Sequence, residues 1–182
     1  KQENVFSCGP TTLSMALSYF GLNPKKELFT PSELEEKKGT LLFELASKVK
    51  KEIREIFPKI TFFSYYHLDD SFNKISKKEK IEQLESEIEK IKGTSHMESV
   101  DKRYLEGILN CIKADVELNH EIFDIIDIEK ALEKSPVIVN LTPAIFRKIK
   151  ARFSGHFILL TGFDKDIFYY NDPKNLKEEY IG

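Results

Sequence analysis

Apolar side chains recur at helical spacing up to about residue 135 and in strand-like runs beyond it. Leu13, Ala16, Leu17 and Phe20 share one face and predict a helix over residues 11–20, with Pro10 in its first turn and Gly21 as its stop. That places Cys8 at or just before a helix N-terminus. Thr30-Pro31-Ser32-Glu33 reads as a capping box with proline at the first helical position, so a second helix begins there. Leu42, Leu45, Ala46, Val49, Ile53 and Ile56 trace a third, from Thr40 to about Glu55, ended by Pro58. Residues 60–66, rich in β-branched and aromatic side chains, fit a short strand. Ser76-Lys77-Lys78-Glu79 opens a capped helix whose seam of Ile81, Leu84, Ile88 and Ile91 lies on a strongly charged background. The seam is too short for a free coiled coil, so it packs onto its own domain or forms an arm. Self-association through residues 76–92 stays open. Residues 99–113, with Tyr104, Leu105, Ile108, Leu109 and Ile112 inward, and residues 127–134 complete the predicted helices.

The pattern changes at Pro136. Val137-Ile138-Val139-Asn140-Leu141 has a buried-strand signature, residues 156–163 have another, Asp164-Lys165-Asp166 reads as a hairpin turn, and residues 167–171 return as a strand. Between the first two strands, the basic segment 147–152 reads as a short helix or a loop. Helices first and a sheet last predict an α+β fold, and no internal repeat or low-complexity linker interrupts it.

Length and composition narrow the picture without changing it. The 182 residues suit one domain able to bury a real core. A formal net charge of -2, from 28 basic and 30 acidic residues, argues against a dominant nucleic-acid-binding surface. Cys8 and Cys111 are too few for a disulfide framework and leave the redox compartment, and so the localisation, open. No run reaches the roughly 20 apolar residues that a membrane-spanning helix needs. The chain starts at Lys1, which leaves room for a leader or neighbouring domain before it. No His/Cys cluster has metal-ligand spacing, so neither metal nor cofactor is expected.

The candidate chemistry begins with Cys8. A free cysteine is usually a small buried apolar residue. At a helix N-terminus, however, the local positive potential favours thiolate, the neighbouring Gly9 leaves the sulfur open to approach, and the backbone N–H of Cys8 is free to face an oxyanion. A thiolate nucleophile wants a base. His156 follows Gly155 and heads the apolar run Phe157-Ile158-Leu159-Leu160, so a rigid strand would hold its ring. His67, His96 and His120 lie in polar or turn-rich stretches with no such companion pattern. Asp172, in the turn-forming sequence Asn171-Asp172-Pro173, is the candidate to orient the imidazole, because a hairpin turning near Lys165 brings it back beside His156. Asn171 is the near alternative, though on a regular strand its side chain faces the other way. Gln2 is the candidate for a second oxyanion donor.

Taken together, Gln-x5-Cys-Gly-Pro-Thr-Thr-Leu-Ser-Met-Ala-Leu, Gly-His-Phe-Ile-Leu-Leu-Thr-Gly-Phe-Asp and Asn-Asp-Pro resemble the papain-like peptidases that process the double-glycine leaders of bacteriocins, and their free-standing relatives. The resemblance covers the chain up to about residue 22 and again from about residue 133. It implies a single papain-like domain over residues 1–182, with an N-terminal helical part carrying Cys8 packed on a C-terminal antiparallel sheet carrying His156 and Asp172. Residues 23–130, longer, more helical and more charged than that family's pattern, are then a largely helical elaboration within it. Such a fold is expected to add a strand after Asp172, which leaves room for a further portion beyond Gly182. The resemblance also implies an oxyanion glutamine in Gln2, a nucleophile in Cys8, a base in His156 and an orienting aspartate in Asp172. A cysteine peptidase or amidohydrolase acting on a peptide or protein through a thioester is the expected function. An acyltransferase or transpeptidase using the same site, and a catalytically silent peptide-binding domain, are the alternatives.

Overall fold

The computed structural model describes residues 6–22, 28–62, 68, 71–92, 95–141, 155–175 and 178–181. In chain order these form α1 (Cys8–Tyr19), α2 (Pro31–Glu36), α3 (Leu42–Glu52), β1 (Lys59–Phe62), α4 (Lys77–Lys90), α5 (His96–Lys113), β2 (Glu117–His120), α6 (Ile125–Leu132), β3 (Val137–Leu141), β4 (His156–Asp164), β5 (Ile167–Asn171) and β6 (Glu178–Ile181). This is the expected α+β fold. Residues 63–66 of the predicted first strand and the basic segment 147–152 lie outside the described residues. The chain gathers into two compact units, one from Lys1–Thr40 with Asp124–Gly182 and the other from Leu41–Phe123.

In the first unit, α1 ends as its sequence predicts. Gly21 takes φ +70°, and the Gly21 and Leu22 N–H groups bond the carbonyls of Ser18 and Leu17 at 3.0 and 2.9 Å. Helix α2 carries the predicted capping box of Thr30 and Glu33. Helix α6 begins at Ile125, earlier than the expected Asp127, because Asp124 and Asp127 exchange the same reciprocal cap bonds that a Thr/Glu box makes. The sheet is an antiparallel meander in the order β3-β4-β5-β6. Its central strand β4 pairs Leu141 with His156 on one side and Leu159 with Asn171 on the other. Ile158, Leu160 and Tyr170 form a buried cluster with Val137, Val139, Leu141 and Phe168 beside them and Ile128 and Leu132 of α6 against it.

The second unit wraps α3, α4 and α5 around the parallel pair of β1 and β2. Phe72, Leu84, Leu105 and Ile108 are wholly buried in its core, and Ile81 and Ile88 of α4, with Ile91 just after it, pack against that core. The α4 seam is thus engaged within its own unit. Helix α3 stops at Glu52, short of the predicted Glu55, since Ile53 is already extended as the chain runs toward Pro58 and β1. Helix α5 starts at His96, before the predicted Ser99, because Ser95 and Glu98 form a cap that lies upstream of the apolar stripe. Strand β2 had no sequence signal of its own. Its end is fixed by Asn73, whose amide donates to the His120 carbonyl at 2.7 Å and accepts the His120 N–H at 3.0 Å.

A glycine in mid-helix normally costs about 1 kcal/mol relative to alanine. Gly107 of α5 is there because a Cβ at this position would stand 3.0 Å from Cβ of Phe43, an atom fixed to the α3 backbone. Gly107→Ala is expected to lose about 1–2 kcal/mol of stability, the overpacking strain exceeding the gain in helix propensity. Denaturant unfolding measures this, and a variant as stable as the parent would refute the close approach.

Candidate active site

The nucleophile candidate is set by helix geometry. Cys8 is the first residue of α1, so its N–H belongs to the first turn, which has no intrahelical acceptors, and its thiol is half-buried. The base candidate is set by sheet geometry. His156 is the first residue of β4, its imidazole largely covered, with the side chain 14% exposed.

Asp172 follows directly after β5, and an irregularity in the sheet decides which way it faces. Between the pairs Leu160–Tyr170 and Gly162–Tyr169, β4 advances two residues while β5 advances one, leaving Thr161 as a bulge. Carried on past Asn171, this register sets Asp172 opposite Ile158, on the same face of β4 as His156. Without the extra residue, Asn171 would occupy that face. The outcome is a 3.0 Å hydrogen bond between His156 Nε2 and Asp172 Oδ1, with Asp172 buried. The same carboxylate oxygen accepts the Lys174 N–H at 2.8 Å, and Asn175 N–H bonds the Asp172 carbonyl at 3.1 Å, so a tight turn holds the side chain in place.

With Nε2 engaged by Asp172, Nδ1 is the ring nitrogen left for the thiol, and the Cys8 side chain hydrogen bonds the His156 ring. Burial opposes ionisation of Cys8. It is outweighed by the His156 hydrogen bond, by backbone hydrogen bonds from Phe157 and Gly9 and by the imidazolium charge, so the thiol titrates below its ordinary range. The His156 imidazole moves the other way. The bond to Cys8 raises it most, burial lowers it, and the bond to Asp172 with the charges of Asp172 and Cys8 raises it further. Opposite shifts on two bonded groups favour a thiolate–imidazolium pair.

The structure therefore brings together Cys8, His156 and Asp172, all within the first unit, while Gln2 lies outside the described residues. The competing histidines are elsewhere. His96 is exposed at the start of α5, His120 is buried beside the Phe62 and Phe72 rings, and His67 lies outside the described residues. Cys111 offers no second nucleophile: burial pushes its thiol up to about 12, and it donates to the Phe43 carbonyl at 3.1 Å. No group of three His, Cys, Asp or Glu side chains suited to a metal occurs among the described residues. The sequence reading missed the backbone groups of Phe157 and Gly9 on the sulfur, and that of Lys174 on the carboxylate, since main-chain donors leave no residue-type signature.

The family model described as the Peptidase_C39 like family matches residues 1–181. The chain belongs to this family. The Peptidase_C39 like assignment spans both units and agrees with the papain-like α+β architecture. Membership supports a cysteine peptidase and, with it, a peptide substrate. Comparison with curated proteins and with solved structures gave no match. No helix among the described residues is long and apolar enough to cross a membrane.

Proposed function

We propose that this protein is a cysteine hydrolase that cleaves a peptide or related amide bond through Cys8, His156 and Asp172. The observation that carries the proposal is the imidazole of His156, whose Nε2 lies 3.0 Å from Asp172 Oδ1 and whose ring also hydrogen bonds the Cys8 side chain. In the reaction, the Cys8 thiolate attacks the substrate carbonyl carbon, and the resulting oxyanion is held by the Cys8 N–H together with the Gln2 side-chain amide. The imidazolium of His156 gives its proton to the leaving amine as the C–N bond breaks, which leaves a thioester on Cys8. Water then attacks the thioester with His156 as base, releasing a carboxylic acid and restoring the thiol. Asp172 accepts the Nε2–H throughout, fixing the tautomer and stabilising the charged ring.

In this proposal residues 1–182 act as one papain-like domain, with residues 23–130 as a largely helical elaboration. Peptides with a double-glycine leader are the first substrates to try. The proposed reaction does not call on self-association through residues 76–92, whose seam packs partly against the core of its own unit.

Activity requires the thiolate and the imidazolium together. The lowered thiol extends the acid limb of kcat/KM to lower pH, and the raised imidazole extends the alkaline limb to higher pH. The expected profile is a bell whose acid limb lies below the range of an ordinary thiol and whose alkaline limb lies above that of an ordinary imidazole. The decisive experiment incubates the protein with peptide substrate in H2(18)O, follows a Cys8-linked acyl adduct by mass spectrometry and looks for one heavy oxygen in the new carboxylate. Turnover only when an amine or thiol acceptor is added would show an acyltransferase, and binding without any adduct would show a silent peptide-binding domain.

A further inference from the structure

Helix α1 and strand β4 carry the two reacting side chains, and something directional must fix one against the other. Leu13, Ala16 and Leu17 bury the inner face of α1, but apolar contact is non-directional and tolerates small slides and rotations. Thr12 is different. It is wholly buried, and its hydroxyl donates to the Phe157 carbonyl at 3.2 Å, across 145 residues of sequence. Phe157 is bonded covalently to His156, and its backbone also hydrogen bonds the Cys8 sulfur. The N–H and C=O of one strand residue point the same way, and residues four apart on a helix lie on one face. Cys8 and Thr12 therefore grip the two polar groups of a single strand residue. That residue lies beyond the last β4–β5 pair, Leu159 with Asn171. There β5 makes no further pairs with β4, and Thr12 of α1 reaches the Phe157 carbonyl, while β3 pairs Asn140 with Phe157 on the other side of β4.

A valine at position 12 would fill nearly the same space, so what the buried hydroxyl adds is its bond rather than its bulk. We infer that Thr12 is a positioning residue, whose hydrogen bond to the Phe157 carbonyl sets the distance and angle between the Cys8 thiol and the His156 imidazole. The inference deepens the proposed function and rests on it. Thr12 touches neither reacting atom. It acts through Phe157, and loss of its bond lets the first turn of α1 drift from β4, weakening the Cys8–His156 contact.

The test compares Thr12→Val, which keeps the shape and loses the hydroxyl, with Thr12→Ser, which keeps the hydroxyl and loses a methyl. Each is read by the pH dependence of iodoacetamide alkylation at Cys8, located by peptide mapping, alongside kcat and KM. Thr12→Val is expected to move the alkylation midpoint up by about one pH unit, an approximately tenfold loss of rate on the acid side, and to lower kcat more than it changes KM. Thr12→Ser is expected to keep the parent profile. A folded Thr12→Val protein with the parent profile, or a Thr12→Ser protein shifted as far as Thr12→Val, would overturn the inference. Should Thr12→Val fail to fold, Thr12→Ser decides alone: an unmoved midpoint supports the role of the hydroxyl, and a shifted one refutes it. His156→Ala separates the levels. If that variant alkylates as fast as the parent at acidic pH, the active-site reading fails and Thr12 falls with it; if it is slowed while Thr12→Val is not, only the positioning role is lost.

Discussion

His156→Ala is expected to lower kcat/KM by about 10⁴-fold and to remove the rapid alkylation of Cys8 at acidic pH. Two losses combine to give that size. Proton transfer to the leaving amine by a positioned imidazole contributes about 10²–10⁴-fold on its own. The thiol also loses its hydrogen bond and its counter-charge, leaving burial, the largest single influence on it, opposed only by backbone bonds from Phe157 and Gly9. Its titration then moves up, and the thiolate fraction at neutral pH shrinks. Cys8→Ala, measured beside it, leaves no acyl adduct at all. Both variants should fold, because the side chains sit at the ends of their elements and not in a core cluster. A His156→Ala protein within a few-fold of the parent in both turnover and alkylation would sink the proposed mechanism.

Asp172→Ala is expected to have the next largest effect, a loss in kcat on the order of 10²-fold, since in the proposed mechanism the imidazolium gives up the acceptor that fixes its tautomer and stabilises its charge. The carboxylate also anchors the turn through the Lys174 N–H, so alanine frees a backbone donor and loosens the end of β5. Asp172→Asn separates electrostatics from geometry. Its side-chain carbonyl can still accept from His156 Nε2–H and from Lys174 N–H, but its charge is gone. Both the bond to Asp172 and its charge raise the His156 imidazole, so removing the charge lets the imidazole titrate lower. The alkaline limb of the kcat/KM profile therefore moves to lower pH, and the acid limb, governed by Cys8, moves little. An alkaline limb that stays put in Asp172→Asn would show that Asp172 does not support the charged ring.

The parts of this molecule that are legible in its sequence are those whose cause lies within a few residues. Thr30 with Glu33 and Ser76 with Glu79 are capping boxes because both partners are three apart, and they cap as expected. Gly21 ends α1 because only glycine enters that turn cheaply. The shortfalls have equally local reasons. Asp124 with Asp127 makes the same box from a residue pair outside the usual template, and the cap at Ser95 precedes the apolar stripe that marked α5. The α4 seam could not reveal its partner, because a stripe of isoleucine and leucine states that it is buried and not against what.

The sequence by itself determined the candidates for the proposed chemistry: a cysteine at a helix N-terminus, a histidine heading an apolar strand and an aspartate just past the strand that returns. Local propensity and residue chemistry are enough for that. The tertiary structure decided how they meet. A single extra residue at Thr161 selects Asp172 over Asn171 for the face of β4 that carries His156, and the hydroxyl of Thr12 ties the helix that begins at Cys8 to the Phe157 carbonyl of that strand. Register and long-range hydrogen bonds pair residues far apart in the chain, and their free energy depends on where the partner backbone lies, which no local pattern records.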